Sequence, residues 1–203
     1  MALHITGDDA ADRILDESPF ALLAGMMLDQ QYPMEHAFRG PAKVVDRFGG
    51  FDPGAIAAAD PDEFAAMCAT TPAIHRYPGS MSTRLQELAR VVVETYGGEA
   101  ERIWTEAADG RDLLGRIQAL PGFGAQKAKI FVAVLAKQLD VRPEGWERAA
   151  GDYALEGHRS VADVVDPVSL QKVRDHKQQV KAAAKARKAE AGTGSDPGGS
   201  SAG

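Results

Sequence analysis

LPGFGAQKAKIF, residues 120–131, is the stretch on which the reading of this chain turns. Leu113, Leu114 and Ile117 recur at helical spacing before it, and Ala128, Phe131, Val134 and Leu135 recur after it. Two helices therefore meet at a proline and two glycines. Glycine accepts the positive φ of a tight reversal and lets a partner come close to the backbone. The helix opening after Gly124 begins with amides that have no acceptor inside it. Such an end attracts anions through those N–H groups and the positive end of the helix dipole. Lys127 and Lys129 set mobile cations beside it. The stretch reads as a hairpin that grips one phosphate of a nucleic-acid backbone. An ordinary helical connection can carry the same letters, so the rest of the chain has to decide.

The rest of the chain predicts an all-α fold. Alanine is frequent, β-branched alternation is absent, and helix-start signals recur. Ser18-Pro19 and Asp60-Pro61-Asp62-Glu63 each place an N-cap before a proline at the first helical position. The second adds an acid resembling a capping box, and Ser160-Val161-Ala162-Asp163 is a weaker version. Gly49-Gly50 and Gly97-Gly98 mark helix exits. Helices are predicted over roughly 8–16, 18–31, 33–48, 61–69, 82–96, 101–108, 111–119, 124–138, 145–155 and 167–190. Residues 1–170 form one helical domain, or two small lobes with a cleft and a shared core, with the hairpin at 120–124. Residues 171–191 read as an exposed basic helix that frays. Residues 192–203, rich in Gly, Ser and Pro, read as a disordered tail.

Composition bounds the compartment and the partners. A single cysteine, Cys68, excludes an intrachain disulfide framework and a four-cysteine iron–sulfur cluster, and points to a reducing cytosol. The first twelve residues carry no signal pattern and no apolar run approaches a membrane span, so a soluble cytoplasmic protein is expected. Charge is uneven. Residues 1–170 hold 16 of the 23 Lys and Arg and 26 of the 29 Asp and Glu, a net of −10, whereas 171–203 carry +4. An acidic body lacks the broad basic face of a strong non-specific DNA binder. Affinity must come from the hairpin, a few placed cations and the basic tail.

The hairpin resembles that of the helix-hairpin-helix (HhH-GPD) base-excision DNA glycosylases, which reads L-P-G-hydrophobic-G and leads into a helix. Pro19-Phe20-Ala21-Leu22-Leu23 running to Leu28-Asp29-Gln30-Gln31 resembles the first core helix of that family, which ends in a glutamine pair. Tyr77 through Gly98 resembles the helix before the hairpin region. These three matches occur in the family's order and span about residues 18–140. The resemblance implies a DNA repair protein without an iron–sulfur cluster that acts as a monomer on damaged or abasic double-stranded DNA. In a bacterium it would be nucleoid-associated.

It also implies a chemistry. Cleaving an N-glycosidic bond develops positive charge on the sugar, which a nearby carboxylate can stabilise once the base has left the stack. Bifunctional members place a lysine nucleophile two residues after the hairpin's second glycine. Gln126 stands there, so a monofunctional N-glycosylase is implied. The family's aspartate lies about eighteen residues further on, where this chain has Glu144; Asp140 and Asp152 are the alternatives nearby. The usual aspartate motif is not visible, and a non-catalytic DNA-binding module of the same fold is the competing reading. For DNA contact the resemblance and the residue types nominate Gly122, Gly124, Gln126, Lys127, Lys129, Gln30, Gln31 and Arg76. Tyr32, His36, Trp104 and Trp146 are candidates to stack on a flipped base. No catalytic metal or other cofactor is implied. The carbonyls of Leu120, Gly122 and Phe123 are those that hold a monovalent cation in the family.

Overall fold

A run such as PFALLAGMML, apolar on every side, has to be surrounded when it forms a helix. It does so over Pro19–Leu28, where every residue from Phe20 onward is buried. The computed structural model describes residues 3–192, and these contain twelve α-helices and no strand. In chain order they are α1 Asp9–Glu17, α2 Pro19–Leu28, α3 Met34–Phe38, α4 Gly40–Phe48, α5 Pro53–Ala58, α6 Pro61–Ala69, α7 Pro78–Tyr96, α8 Arg102–Thr105, α9 Gly110–Gln118, α10 Ala125–Gln138, α11 Trp146–Ala150 and α12 Pro167–Gly192. Two 3-10 turns lie at Gly151–Ala154 and Val161–Asp163. Helices α1, α3, α4 and α7 pack on α2, with α5 and α6 against α7. Helices α9 and α11 and both 3-10 turns pack on α10. One apolar core runs through both groups, from Leu15 and Phe38 to Phe131 and Val173.

Local chemistry sets most of the boundaries. Ser18 Oγ accepts the Ala21 amide, and Asp60 accepts those of Asp62 and Glu63, each above a proline at the helix start. The expected helix over 18–31 ends early, at Leu28. The Gln30 side-chain amide donates to the Met27 carbonyl at 2.7 Å, satisfying an acceptor that the helix has stopped using. The expected helix over 33–48 breaks at Arg39–Gly40. Pro41 brings no amide proton, and Gly40 lies so close to α2 that a Cβ would stand 2.4 Å from Leu28 Cδ1. The unexpected α5 starts at Asp52-Pro53, the same N-cap and proline pair seen elsewhere. Gly151, at φ 61°, turns the expected 145–155 helix into α11 and a 3-10 turn.

The basic segment is not a free tail. Helix α12 starts at Pro167 and crosses the 170/171 boundary unbroken. Leu170 and Val173 are buried in the core. Arg174 forms an ion pair with Glu35, and Lys177 Nζ lies 3.5 Å from Asp29 Oδ2. Beyond them the helix is exposed through Arg187, including Val180. The tail expected over 192–203 lies, Gly192 apart, outside the described residues.

Truncation after residue 170 should therefore destabilise the chain. Losing the burial of Val173 alone removes roughly 2 kcal/mol, or about 4–8 °C in Tm for a chain of this size. Truncation after residue 187 should melt with the parent. Equal melting temperatures for the two truncations, read by circular dichroism, would show that α12 contributes nothing to the core.

Candidate nucleic-acid interface and active site

The turn between α9 and α10 divides its glycines by task. Gly122 has φ 83°, and a Cβ there would lie 2.8 Å from Met27 Cγ and 2.9 Å from Arg84 Cδ. Phe123 is buried against Phe131, ring centroids 5.8 Å apart, and pins the turn to the core. Gly124 is in ordinary extended backbone at φ −82° and ψ 172°, with open space where its Cβ would be. The tight reversal belongs to Gly122 alone. No side chain among the described residues caps α10, so the amides of its first turn stay open. The Leu120 carbonyl accepts the Phe123 amide at 3.1 Å, which leaves a lone pair on that oxygen for a cation.

Lys127 is not a mobile cation. Its Nζ donates to the Met27 carbonyl at 2.8 Å and lies 5.9 Å from the Phe123 ring centroid. Burial pushes the ammonium down to about 8; Asp29 opposes that fall, while Arg84 and Lys177 add to it. The same carbonyl end of α2 collects a small polar network. Arg84 Nη1 donates to Gln30 Oε1 at 3.1 Å, and the buried His75 contacts the Gln30 carbonyl through Nε2 at 3.1 Å. The side chain of Gln30 is thus used inside the protein. Gln31 is exposed and holds a left-handed φ of 52°. Arg76 is exposed too, 5.4 Å over the ring of the exposed Tyr77. Among the stacking candidates, Trp104 is buried against Phe131, so it is core. Tyr32 packs on His75 with centroids 4.6 Å apart, His36 is exposed, and Trp146 begins α11 beside Gly110 at the start of α9.

The three candidate carboxylates fall in different places. The Glu144 carbonyl accepts the Gly110 amide at 2.8 Å, which clamps this loop to the start of α9, the end away from the turn. Gly110 makes room for it, since a Cβ would lie 2.6 Å from the Trp146 nitrogen. The Glu144 side chain is exposed beside Asp109, Arg111 and Arg148. Asp140 follows the end of α10, roughly 20 Å of helix from the turn, and pairs with Arg142 at 3.2 Å. Asp152 differs. After α11 the chain comes back along α10, and Tyr153 Oη accepts a 2.8 Å hydrogen bond from Gln126 Nε2. Asp152 and Gln126 line one groove of about 630 Å³, together with Lys129, Arg159, His176, Lys177 and Lys181. That volume is within the range of small-molecule sites.

Buried polar groups hold the returning segment in place. Lys137 Nζ contacts Asp163 at 2.7 Å and donates to the Leu155 carbonyl at 2.8 Å. Gln138 Nε2 reaches the carbonyls of Ala162 and Val164, and Asp163 accepts the amides of Arg159 and Ser160. Asp152, an alternative at the sequence level, is the candidate that shares a groove with Gln126, which spacing could not show because the chain first runs out to Glu144. Its one local signal was Gly151, which ends α11 just before it. The groove's basic wall, His176 to Lys181, was legible as charge but not as position.

His75 gives this network a pH dependence. Nδ1 accepts the Tyr77 amide at 3.0 Å, so the ring proton is on Nε2 and is donated to Gln30. Burial lowers the imidazole from its ordinary value, against the pull of the Gln30 and Leu28 carbonyls. A group depressed in the folded state adds stability that is full above its unfolded value, about 6.5, and is lost as pH falls through the folded one. The parent should therefore lose Tm faster than His75→Asn between about pH 7.5 and pH 5. Parallel melting curves would show that folding leaves the His75 imidazole at its ordinary value.

The model of the HhH-GPD superfamily of base excision DNA repair proteins matches residues 24–191. That span takes in α2 from Ala24, the turn, the groove and the docked part of α12. No curated protein and no solved structure gives a match. The helical fold, the hairpin and this match agree: the chain belongs to the HhH-GPD superfamily of base excision DNA repair proteins, whose members bind DNA.

Proposed function

We infer that this protein is a monofunctional DNA N-glycosylase, a hydrolase that separates a damaged or mispaired base from its sugar, acting as a monomer on duplex DNA. One observation carries the reading: Gln126, which the family resemblance aligns with the lysine nucleophile of bifunctional members, shares its groove with Asp152. Glutamine cannot form a Schiff base, which leaves water as the nucleophile. In this reading the open amides of α10 take a backbone phosphate and the extruded nucleotide enters the groove. The Asp152 carboxylate stabilises the positive charge that develops on the sugar and orients the attacking water. Gln31 and Tyr77, exposed on the side of the turn where α2 ends, face the duplex left behind. Where a monovalent cation binds, the carbonyls of Leu120, Gly122 and Phe123 would hold it, and its charge adds to the pull on phosphate.

The test is turnover on a panel of lesion duplexes. With an active lesion in hand, Asp152→Asn should cost on the order of 10²- to 10³-fold in rate and leave binding to an abasic-analogue duplex nearly unchanged. Glu144→Gln should stay active, and borohydride should trap no protein–DNA adduct. Loss of activity in Glu144→Gln with none in Asp152→Asn would move the carboxylate role back to Glu144. No turnover on any lesion would favour the non-catalytic DNA-binding module.

A further inference from the structure

Most basic side chains of this protein that touch a carboxylate do so away from the groove, as in Arg102–Glu106, Arg116–Asp112 and Lys137–Asp163. In the groove Lys177 alone is so paired among the described residues, with Asp29. Among the described residues no ion pair involves Lys129, Arg159, His176 or Lys181, although the body around them is strongly acidic. Arg159 is half-buried, and its Nε is fully buried with no hydrogen-bond partner among the described residues. A guanidinium nitrogen withdrawn from water without an acceptor is costly unless an incoming group supplies one.

The helices set these cations facing one another. Gln126, Lys129 and Ile130 share one face of α10 by their spacing of three and four, and Lys177, Val180, Lys181 and Ala184 share one face of α12. Arg159 enters from the loop after the first 3-10 turn. Gln126, Ile130 and Lys177 line both this groove and the recess at the open amides of α10, so the two spaces adjoin. From Gln126 to Lys129 is about 5 Å along the helix axis.

We propose that Arg159, Lys129 and Lys181 form a second phosphate site, separate from the hairpin, that takes a phosphodiester of the strand carrying the extruded nucleotide. The proposal rests on the glycosylase reading for its ligand, but not for the existence of an anion site. It gives α12 a role in binding: two of its basic residues tie it to the body, and the next turn presents Lys181 to the DNA.

Two measurements on the full chain test it. The first is the salt dependence of binding to an abasic-analogue duplex. Arg159→Gln and Lys181→Gln should each flatten the plot of log K against log salt by about one unit, with roughly tenfold loss of affinity at low salt. Should Arg159→Gln fold poorly by its melting temperature, Lys181→Gln and Lys129→Gln carry the test, being exposed. The second is titration with inorganic phosphate, read on the Arg159 Nε–H resonance. A phosphate-induced shift without DNA binding by the parent would keep the anion site and sink the DNA reading. DNA binding whose salt slope is unchanged in every variant, with no response at Arg159 to phosphate, would overturn the proposal and leave the glycosylase reading standing.

Discussion

The ammonium of Lys127 on the carbonyl of Met27 joins the two halves of this molecule. It brings the first turn of α10 against the last turn of α2, and the rest of the site is arranged about that junction. The partial charges explain its direction. The carbonyl end of α2 is the negative end of a buried helix, where a cation is favourable. The cation is costly to bury, as its depressed value of about 8 records, yet Asp29 and the carbonyl hold it there. Gln30, His75 and Arg84 complete the same end, so the glutamine following α2 is enclosed and its neighbour Gln31 is turned outward. The amide end of α10 is left without a side-chain cap among the described residues.

With Lys127 used for the junction, the cations that meet DNA have to come from elsewhere. The acidic body provides anchors rather than a binding face. Glu35 and Asp29 take Arg174 and Lys177 and lay the first turns of α12 along the groove. Further along the same helix, Lys181 forms no ion pair among the described residues. An acidic protein can in this way present one short positive wall, with Asp152 the one carboxylate lining its groove among the described residues. Recognition of such a wall depends strongly on salt, since each phosphate gripped releases condensed counterions.

What was legible in the sequence was whatever depends on neighbours along the chain. The hairpin, the buried α2, the proline-led helix starts and the glycine exits follow from side chains a few residues apart, and the structure has them. The early stop of α2 was not legible, because it depends on His75 and Arg84, each more than forty residues away. Nor was the position of the three candidate carboxylates relative to Gln126. A count of eighteen residues reaches Glu144, which assumes a direct path from the turn to the next helix. The chain instead docks Glu144 on Gly110, at the far end of α9, and returns through α11 before Asp152 enters the groove with Gln126. Spacing along a chain places a side chain only while the path between is known.

The two glycines of the turn separate folding from binding in the same way. Gly122 is required by its positive φ and by the closeness of Met27 and Arg84; the fold alone accounts for it. Gly124 has neither reason. Its backbone angles suit any residue, and a Cβ would meet nothing within 4 Å. A glycine there carries the entropic cost of a flexible link with no return in packing. Its lack of a side chain matters on the outer side, where a bulky group would stand before the open amides of α10. Folding therefore accounts for one glycine of the motif, and in the proposed reading the approach of a DNA phosphate accounts for the other.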